Sequence, residues 1–588
     1  MAPDQSAQSP NRLIASLQSL VPSPQSLIPN FLVYVLGVVL GVALAAAQLL
    51  PTLELSDLGL RSGGLSYWDA TSFSLQPLKL PWTLAPSYGL VDLSMVFGVA
   101  FTEFVGYVGT IPLLLALVGL WRARGQRAWW FGVTFAVIGL FLALGRWNPI
   151  YYALYKVVPG FDLFRTPARW MMLYTLGMAV LAGLGIGDWG SGTGDRGLRG
   201  RNLSSAIGRL GDWAINGRLR RPVKAPQSPV PSPQSLILLV LIALDLLLGA
   251  RALPHTHPTA PQAVYDVRTA PAHLLTDPAR TLDAAAMGRF LSLSITTFDP
   301  GDMTDWRRIY RDADAPQLGE KAFMDLIIAL KIQEILGPNL PLLWRIPAVD
   351  GFDGGVLPLQ RYNQFMSLLI PEDRLVPDGR IREQLTDAPS ANLLSLLNAQ
   401  YVITDKIRDL WFEGVYFDRQ FGAMLDTSLP AVDVTAPGTF SATTLGIVGF
   451  VDGPLPDAGQ PVVAVQVFTE GELLEEIPLL ARTHFADPVL DSAAASGAVV
   501  AFRDVENGRQ EYLARLVLNR PTRVDELRFT HAGDAPVTIQ AVTLIDERTQ
   551  TFQPLLASDK GRFRLVHSGD VKIYEALDVR PRLPGRAR

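Results

Sequence analysis

The residues best placed to do chemistry are cations at a helix start. Residues 159–170 read PGFDLFRTPARW and stand directly before a membrane-length apolar run. Thr166 and Pro167 make a helix-start signature: a hydroxyl residue for the N-cap and proline for the first helical position. Arg165 and Arg169 flank that start, four residues apart. A helix N-terminus is the positive end of the macrodipole and disfavours cations. Charge counting also puts both arginines on the outer side of a membrane, where basic residues are scarce. Two rules broken at one spot point to an anion. Free backbone N–H groups and two guanidiniums converging on one phosphate, such as a lipid phosphate, would suit the pattern. The competing expectation is that the arginines reach headgroups, or pair with Asp162 or another outer-face acid.

A second candidate is the loop 51–103, with Glu54, Asp57, Arg61, Tyr67, Trp68 and Asp69. Acids beside aromatics could bind or deprotonate a sugar hydroxyl, with Asp57 or Asp69 as the base. The plainer alternative is a solvated loop whose Trp and Tyr sit in the interfacial aromatic belt. Glu103 reads as an interface marker. Asp245, inside LILLVLIALDLLLGA, is an intramembrane acid and so a site candidate, or a partner for an outer-face arginine.

The elements that must position these residues are apolar runs. They cover 31–50, ended by Pro51, then 104–121, 129–145, 170–187 and 235–250. Each is near the length that crosses a bilayer core. The segment before residue 31 lacks the charged region and cleavage site of a signal peptide, so the first run reads as an uncleaved anchor. Lys and Arg crowd the connections 122–128 and 188–234, whereas 51–103 is acidic. The positive-inside rule then predicts five spans, a cytoplasmic N-terminus and everything after Arg251 outside. VPSPQSLI occurs at 21–28 and again at 230–237 and reads as flexible linker.

The expected fold is mixed. A polar cytoplasmic segment covers 1–30, and a polytopic α-helical membrane domain of about five spans covers 31–250, with the linker 188–234. An external mixed α/β region follows at 252–430, and an external antiparallel β-sandwich, jelly-roll-like, at 431–588. The best helix of the mixed region is 321–336, too short and too charged to span. Strands are expected at 462–468, 498–503, 512–518, 524–529, 537–544 and 563–566.

Composition narrows the functions. The chain has 588 residues, 49% hydrophobic and 18% charged, with a net charge of −4. That is too apolar for an ordinary soluble protein of this size. No basic cluster with interleaved aromatics supports nucleic-acid binding. There are no cysteines, so disulfides, thiolate catalysis and cysteine-ligated metals are excluded. Gly185–Gly190 matches G-x-G-x-x-G but lacks the strand before it. His255 and His257 lack a third ligand. Asn202 heads a glycosylation sequon on the expected cytoplasmic side. No cofactor or metal site is expected.

Several segments resemble bacterial YfhO-like membrane proteins. They are AAAQLLPTLELS with Arg61, EFVGYVGTIPLLLALVGL (103–120), LALGRWNPIYYALYKVVPGFDLFRTPAR (142–169), VDGFDGG with RY at 361–362, LLNAQYVIT (396–404) and VKIYEA (571–576). That family is related to the GT-C glycosyltransferases, which use polyprenyl-phosphate sugars at the outer membrane face to glycosylate cell-envelope polymers. The resemblance implies a bacterial cell-membrane protein with membrane lipids, a polyprenyl-phosphate sugar and an envelope glycan acceptor as partners. It also implies that this chain is truncated at both ends, without the catalytic N-terminal spans. The alternative is a non-catalytic membrane-anchored envelope protein that displays a carbohydrate-binding β-sandwich.

Overall fold

The computed structural model describes residues 24–60, 62–84, 88, 90, 93–97, 101–187, 233–251, 260–277, 288–312, 317–352, 358–376, 379–492 and 497–579. The chain divides into two compact units, residues 1–254 with 359–361, and residues 255–358 with 362–588.

The first unit is helical, and it corrects the expectation of about five spans. Among the described residues two helices are long and apolar enough to cross a bilayer, Leu32–Leu58 and Pro167–Ile186. The run at 104–121 is interrupted, because Gly109 takes φ +99° and the helix starts only at Thr110. Thr110–Arg122 has 13 residues, which at 1.5 Å per residue reach about 20 Å against a hydrocarbon core of about 30 Å. Arg127–Ala143 has 17 residues and reaches about 25 Å. Leu236–Ala250 falls in the same short class. Apolar composition alone counted these as spans; a turn at Gly109 shortens the first of them and one at Gly145 bounds the second.

Pro51 does not end the first helix, which runs Pro24–Leu58. An interior proline removes one N–H and crowds the carbonyl four residues back, yet the helix continues through it. The hydroxyl of Thr52 donates to the Gln48 carbonyl at 2.7 Å just beyond. The two VPSPQSLI copies are not linkers throughout: each supplies the proline that opens a helix, Pro24 and Pro233.

Three of these helices meet backbone to backbone. A Cβ at Gly119 would stand 2.0 Å from the Leu181 carbonyl oxygen, and one at Gly185 would stand 2.1 Å from that of Leu115. A Cβ at Gly177 would fall 2.4 Å from the Ala136 nitrogen, and one at Gly139 would fall 2.3 Å from the Tyr174 nitrogen. Met171–Gly187 therefore lies against both Thr110–Arg122 and Arg127–Ala143 through glycines, the close approach that small residues permit. Their outer faces leave Leu114, Trp121, Phe131, Val137 and Met172 exposed.

The second unit is rich in sheet. A mixed four-stranded sheet has the order Arg289–Ser292, Ala399–Thr404, Lys572–Ala576, Phe563–Ser568, with the first pair parallel. Asn398, at φ +53°, ends the short helix Ala391–Leu397 and turns the chain into the second of these strands. The helix at 321–336 is observed as Glu320–Glu334, and it buries Phe323, Leu326, Ile327 and Leu330.

Between Ala423 and Leu555 two antiparallel sheets share one core. The larger runs Val499–Asp504, Arg509–Arg523, Ser441–Val451, Val537–Asp546, Thr551–Leu555, with Ala423–Leu425 also paired to Val537–Asp546. The smaller runs Ala431–Thr435, Glu526–His531, Pro461–Thr469, Glu472–Leu480. Ile447, Tyr512 and Ile539 from one sheet and Val465, Leu479 and Phe529 from the other are fully buried together. Alternation of apolar and polar residues produces this, because one face of each strand must leave water. The last two strands, Phe563–Ser568 and Lys572–Ala576, leave the sandwich for the mixed sheet. The fold is thus a helical unit and a unit built of several sheets.

His484 sits at the edge of this core. Burial depresses its pKa below the ordinary 6.5, and its Nδ1 accepts a hydrogen bond from the Leu480 amide at 2.9 Å. Protonation would remove that acceptor. The unfolded chain binds the proton more readily, so the contribution is present above about pH 6.5 and is lost as pH falls through the lower folded value. Thermal melts of the full chain between pH 7.5 and pH 5 should show the sandwich weakening. The His484→Gln variant should flatten that slope.

Candidate functional site

The helix start at 165–170 differs from the expected clamp. Thr166 takes a left-handed conformation, φ +69°, and its side chain makes no capping bond. It leads into a 3₁₀ turn, Pro167–Trp170, ahead of the α-helix. The N–H groups that an anion would need are engaged: that of Ala168 by the Phe73 carbonyl at 3.3 Å, that of Arg169 by the Thr166 carbonyl at 3.1 Å.

The two guanidiniums also part. Arg169 makes a fork with Glu103, Nη2 to Oε1 at 2.8 Å and Nε to Oε2 at 3.1 Å. Its side chain is 63% exposed, so the pair contributes only about 0–1 kcal/mol. Arg165 lies over the Phe73 ring, 5.7 Å from its centroid. The acid partner of Arg169 is therefore Glu103, and Asp162 is not its partner.

The acids of the loop do not converge. Asp57 is exposed near the end of Pro24–Leu58. Asp69 accepts the Ser66 hydroxyl at 2.6 Å, while the Ser66 oxygen accepts the Asp69 amide at 3.2 Å, a cap for the short turn Tyr67–Ala70. No residue bonds to both acids among the described residues. Tyr67 packs edge-on to Tyr152 and Tyr155. Trp68 lies under Arg146, 4.1 Å from the ring centroid, and Arg146 also donates to the Thr71 carbonyl at 3.0 Å. Arg61 lies outside the described residues, as do Asn202, His255 and His257 and the second half of the GIGDWG segment.

Asp245 has a structural role that explains its position. It is 8% exposed and accepts from the hydroxyls of Tyr88 at 2.5 Å and Tyr107 at 3.0 Å. Its other oxygen accepts the Ile111 amide at 3.0 Å. The carboxylate thus meets the positive end of Thr110–Arg122.

The richer arrangement lies in the second unit. A cleft of about 790 Å³ opens beside the sandwich. Segments 386–387, 407–424, 502–509, 538–540 and 559–560 line it, with four cations (Arg408, Arg419, Arg509, Lys560) against four acids (Asp387, Asp504, Glu506, Asp559). Arg419 anchors one wall. It forms a buried fork with Glu511 at 2.9 and 2.8 Å and stacks on Phe502, 3.5 Å from the ring centroid. Asp387 holds the opposite lip, bonded to Arg408 at 3.3 Å and to Lys560. Gln540 donates to the Arg419 carbonyl at 3.0 Å.

Asp504 is held as a carboxylate. Burial works against its charge, but two hydrogen bonds from Asn507 and the nearby Arg509 and Arg419 outweigh it and keep its pKa below the usual range. The cleft presents paired charges and amides, with no excess of either sign. That suits hydroxyl-rich neutral ligands better than a bare anion or cation. Sequence reasoning passed over every one of these residues. They come from five separated segments and carry no motif, and alternation along the strands showed only which residues leave water.

Among the described residues no group of three His, Asp or Glu is placed to hold a metal. No family model, curated protein or solved structure matches the chain.

Proposed function

We propose that this chain is a membrane-anchored envelope protein that binds a carbohydrate in the cleft of its sheet-rich unit. The observation that carries the reading is the cleft itself, walled by the Arg419–Glu511 fork with Phe502 and lined by balanced charges, Asn507 and Gln540. Charged side chains that pair with each other still present lone pairs and N–H groups to sugar hydroxyls. The anchor is supplied by Leu32–Leu58, whose apolar residues are exposed along its length. Exposure of that much apolar surface is favourable only against lipid or a partner. The reading as a transferase for polyprenyl-phosphate sugars has less support, because Arg165 and Arg169 have separate partners and Asp57 and Asp69 share none.

Calorimetric titration of the full chain in detergent with a panel of soluble envelope glycans tests the binding. A saturable glycan is expected. Asn507→Ala with Glu506→Ala should weaken it about tenfold, ~1.4 kcal/mol. A panel without any binder, or unchanged affinity in the double variant, would overturn the proposal.

A further inference from the structure

The hairpin Asp409–Phe412 and Val415–Asp418 places Asp409 directly opposite Asp418 across the strands. Two carboxylates facing each other in a sheet repel. What stands between them is Lys572, from the strand Lys572–Ala576 of the mixed sheet. Its side chain is 1% exposed, among the most buried large side chains in the protein. Nζ lies 3.1 Å from Asp418 Oδ2 and in contact with Asp409 Oδ1.

Two tyrosines close the chamber. Nζ reaches the Tyr416 hydroxyl at 3.0 Å, and the Tyr574 hydroxyl donates to Asp418 Oδ2 at 2.7 Å. The period of two along each strand puts Lys572 and Tyr574, and Tyr416 and Asp418, on common faces. The Asp418 side chain is 1% exposed, and its Oδ1 is fixed by the Gln420 amide at 3.1 Å. Asp409 differs. Its Oδ1 is shut off from solvent and meets the lysine off the line of a regular hydrogen bond. Burial pushes the Asp409 carboxyl up from its usual range, helped by the charge of Asp418 and opposed by Lys572. Burial and the same acids push both tyrosine hydroxyls up, which keeps them as donors.

We propose that Lys572 and Asp409 join in an intramolecular isopeptide bond, with Asp418 as the proton relay. Asp418 takes a proton from the ammonium. The freed Nζ pair attacks Cγ of Asp409 to give a tetrahedral intermediate. Asp418 returns that proton to the departing hydroxyl of the protonated Asp409 carboxyl, which leaves as water, and then takes the second Nζ proton as the amide forms. One C–N bond forms, one C–O bond breaks, one water leaves, and no oxidant or co-reactant is needed. Exclusion of bulk water protects the amide from hydrolysis. The cross-link would tie the hairpin to the mixed sheet, across more than 150 residues of chain.

Intact-mass measurement on the full chain, with peptide mapping after proteolysis, decides it. The expected result is a mass one water below that of the sequence and a branched peptide joining the segments around 409 and 572. Asp418→Asn keeps the shape of the relay residue but not its function. It should restore the full mass while circular dichroism stays that of the folded chain. Lys572→Arg should likewise carry no link. A full-mass folded wild-type chain would overturn the proposal, leaving a buried ion cluster. A linked Asp418→Asn chain would overturn the relay.

Discussion

Asp350→Ala will destabilise the sheet-rich unit by about 3–5 kcal/mol, the range found when one partner of a buried ion pair is removed. Arg382 and Asp350 form a fork with both bonds at 2.7 Å, and their side chains are 4% and 0% exposed. The remaining guanidinium nitrogen donates to the Ile335 carbonyl at 3.1 Å. Every strong polar group there is satisfied, so removal of the carboxylate strands a buried cation. Val349, Ile381 and Met366 belong to the neighbouring apolar core, a poor environment for an unpaired cation. The penalty is mainly that of the stranded charge. Asp350→Leu combined with Arg382→Met should therefore recover most of the loss. Urea unfolding of the full chain, followed by the sheet signal in circular dichroism, gives the measurement. A loss below about 1 kcal/mol in the single variant would show that the pair is solvated.

Gly177→Ala should cost the helical unit up to about 3 kcal/mol, the upper end for overpacking by one methyl. The new Cβ would meet the Ala136 nitrogen at 2.4 Å and the Gly132 carbonyl oxygen at 2.5 Å, both backbone atoms. No rotamer change can relieve that, so Met171–Gly187 and Arg127–Ala143 must separate along their contact. Gly183 lies in the same helix with nothing within 4 Å of a Cβ. Gly183→Ala should be neutral, or stabilising by about 1 kcal/mol through helix propensity. Thermal unfolding in detergent of the two variants provides a matched pair. Equal behaviour would mean that the two glycines have equivalent surroundings and that the helix contact is not as described.

The helix start at 165–170 shows how far a local signature reaches. Thr-Pro before an apolar run did mark where helix begins, since proline's fixed φ and missing N–H favour the first turn. It did not reveal that Thr166 is left-handed or that Phe73 takes the Ala168 amide. Those depend on a segment almost a hundred residues earlier. Glu103 read as an interface marker because its partner, Arg169, is 66 residues away. Counting spans failed for the same kind of reason: hydropathy sees composition over a window, whereas the dihedral of Gly109 delays a helix start to Thr110.

The sequence by itself determined the separation of an apolar helical half from a sheet-rich half, the approximate positions of six strands and the helix expected at 321–336 and observed as Glu320–Glu334. Each rests on short-range periodicity, which burial of one face imposes residue by residue. Only the tertiary structure decided which strands share a sheet, that the last two abandon the sandwich, and that Arg419, Phe502, Asn507 and Gln540 face one cleft. It alone placed Lys572 between Asp409 and Asp418. Pairings between residues far apart along the chain follow from sheet order and register, which many sequences of the same periodicity could satisfy differently. The groups that carry chemistry here are set by those pairings, and local pattern does not contain them.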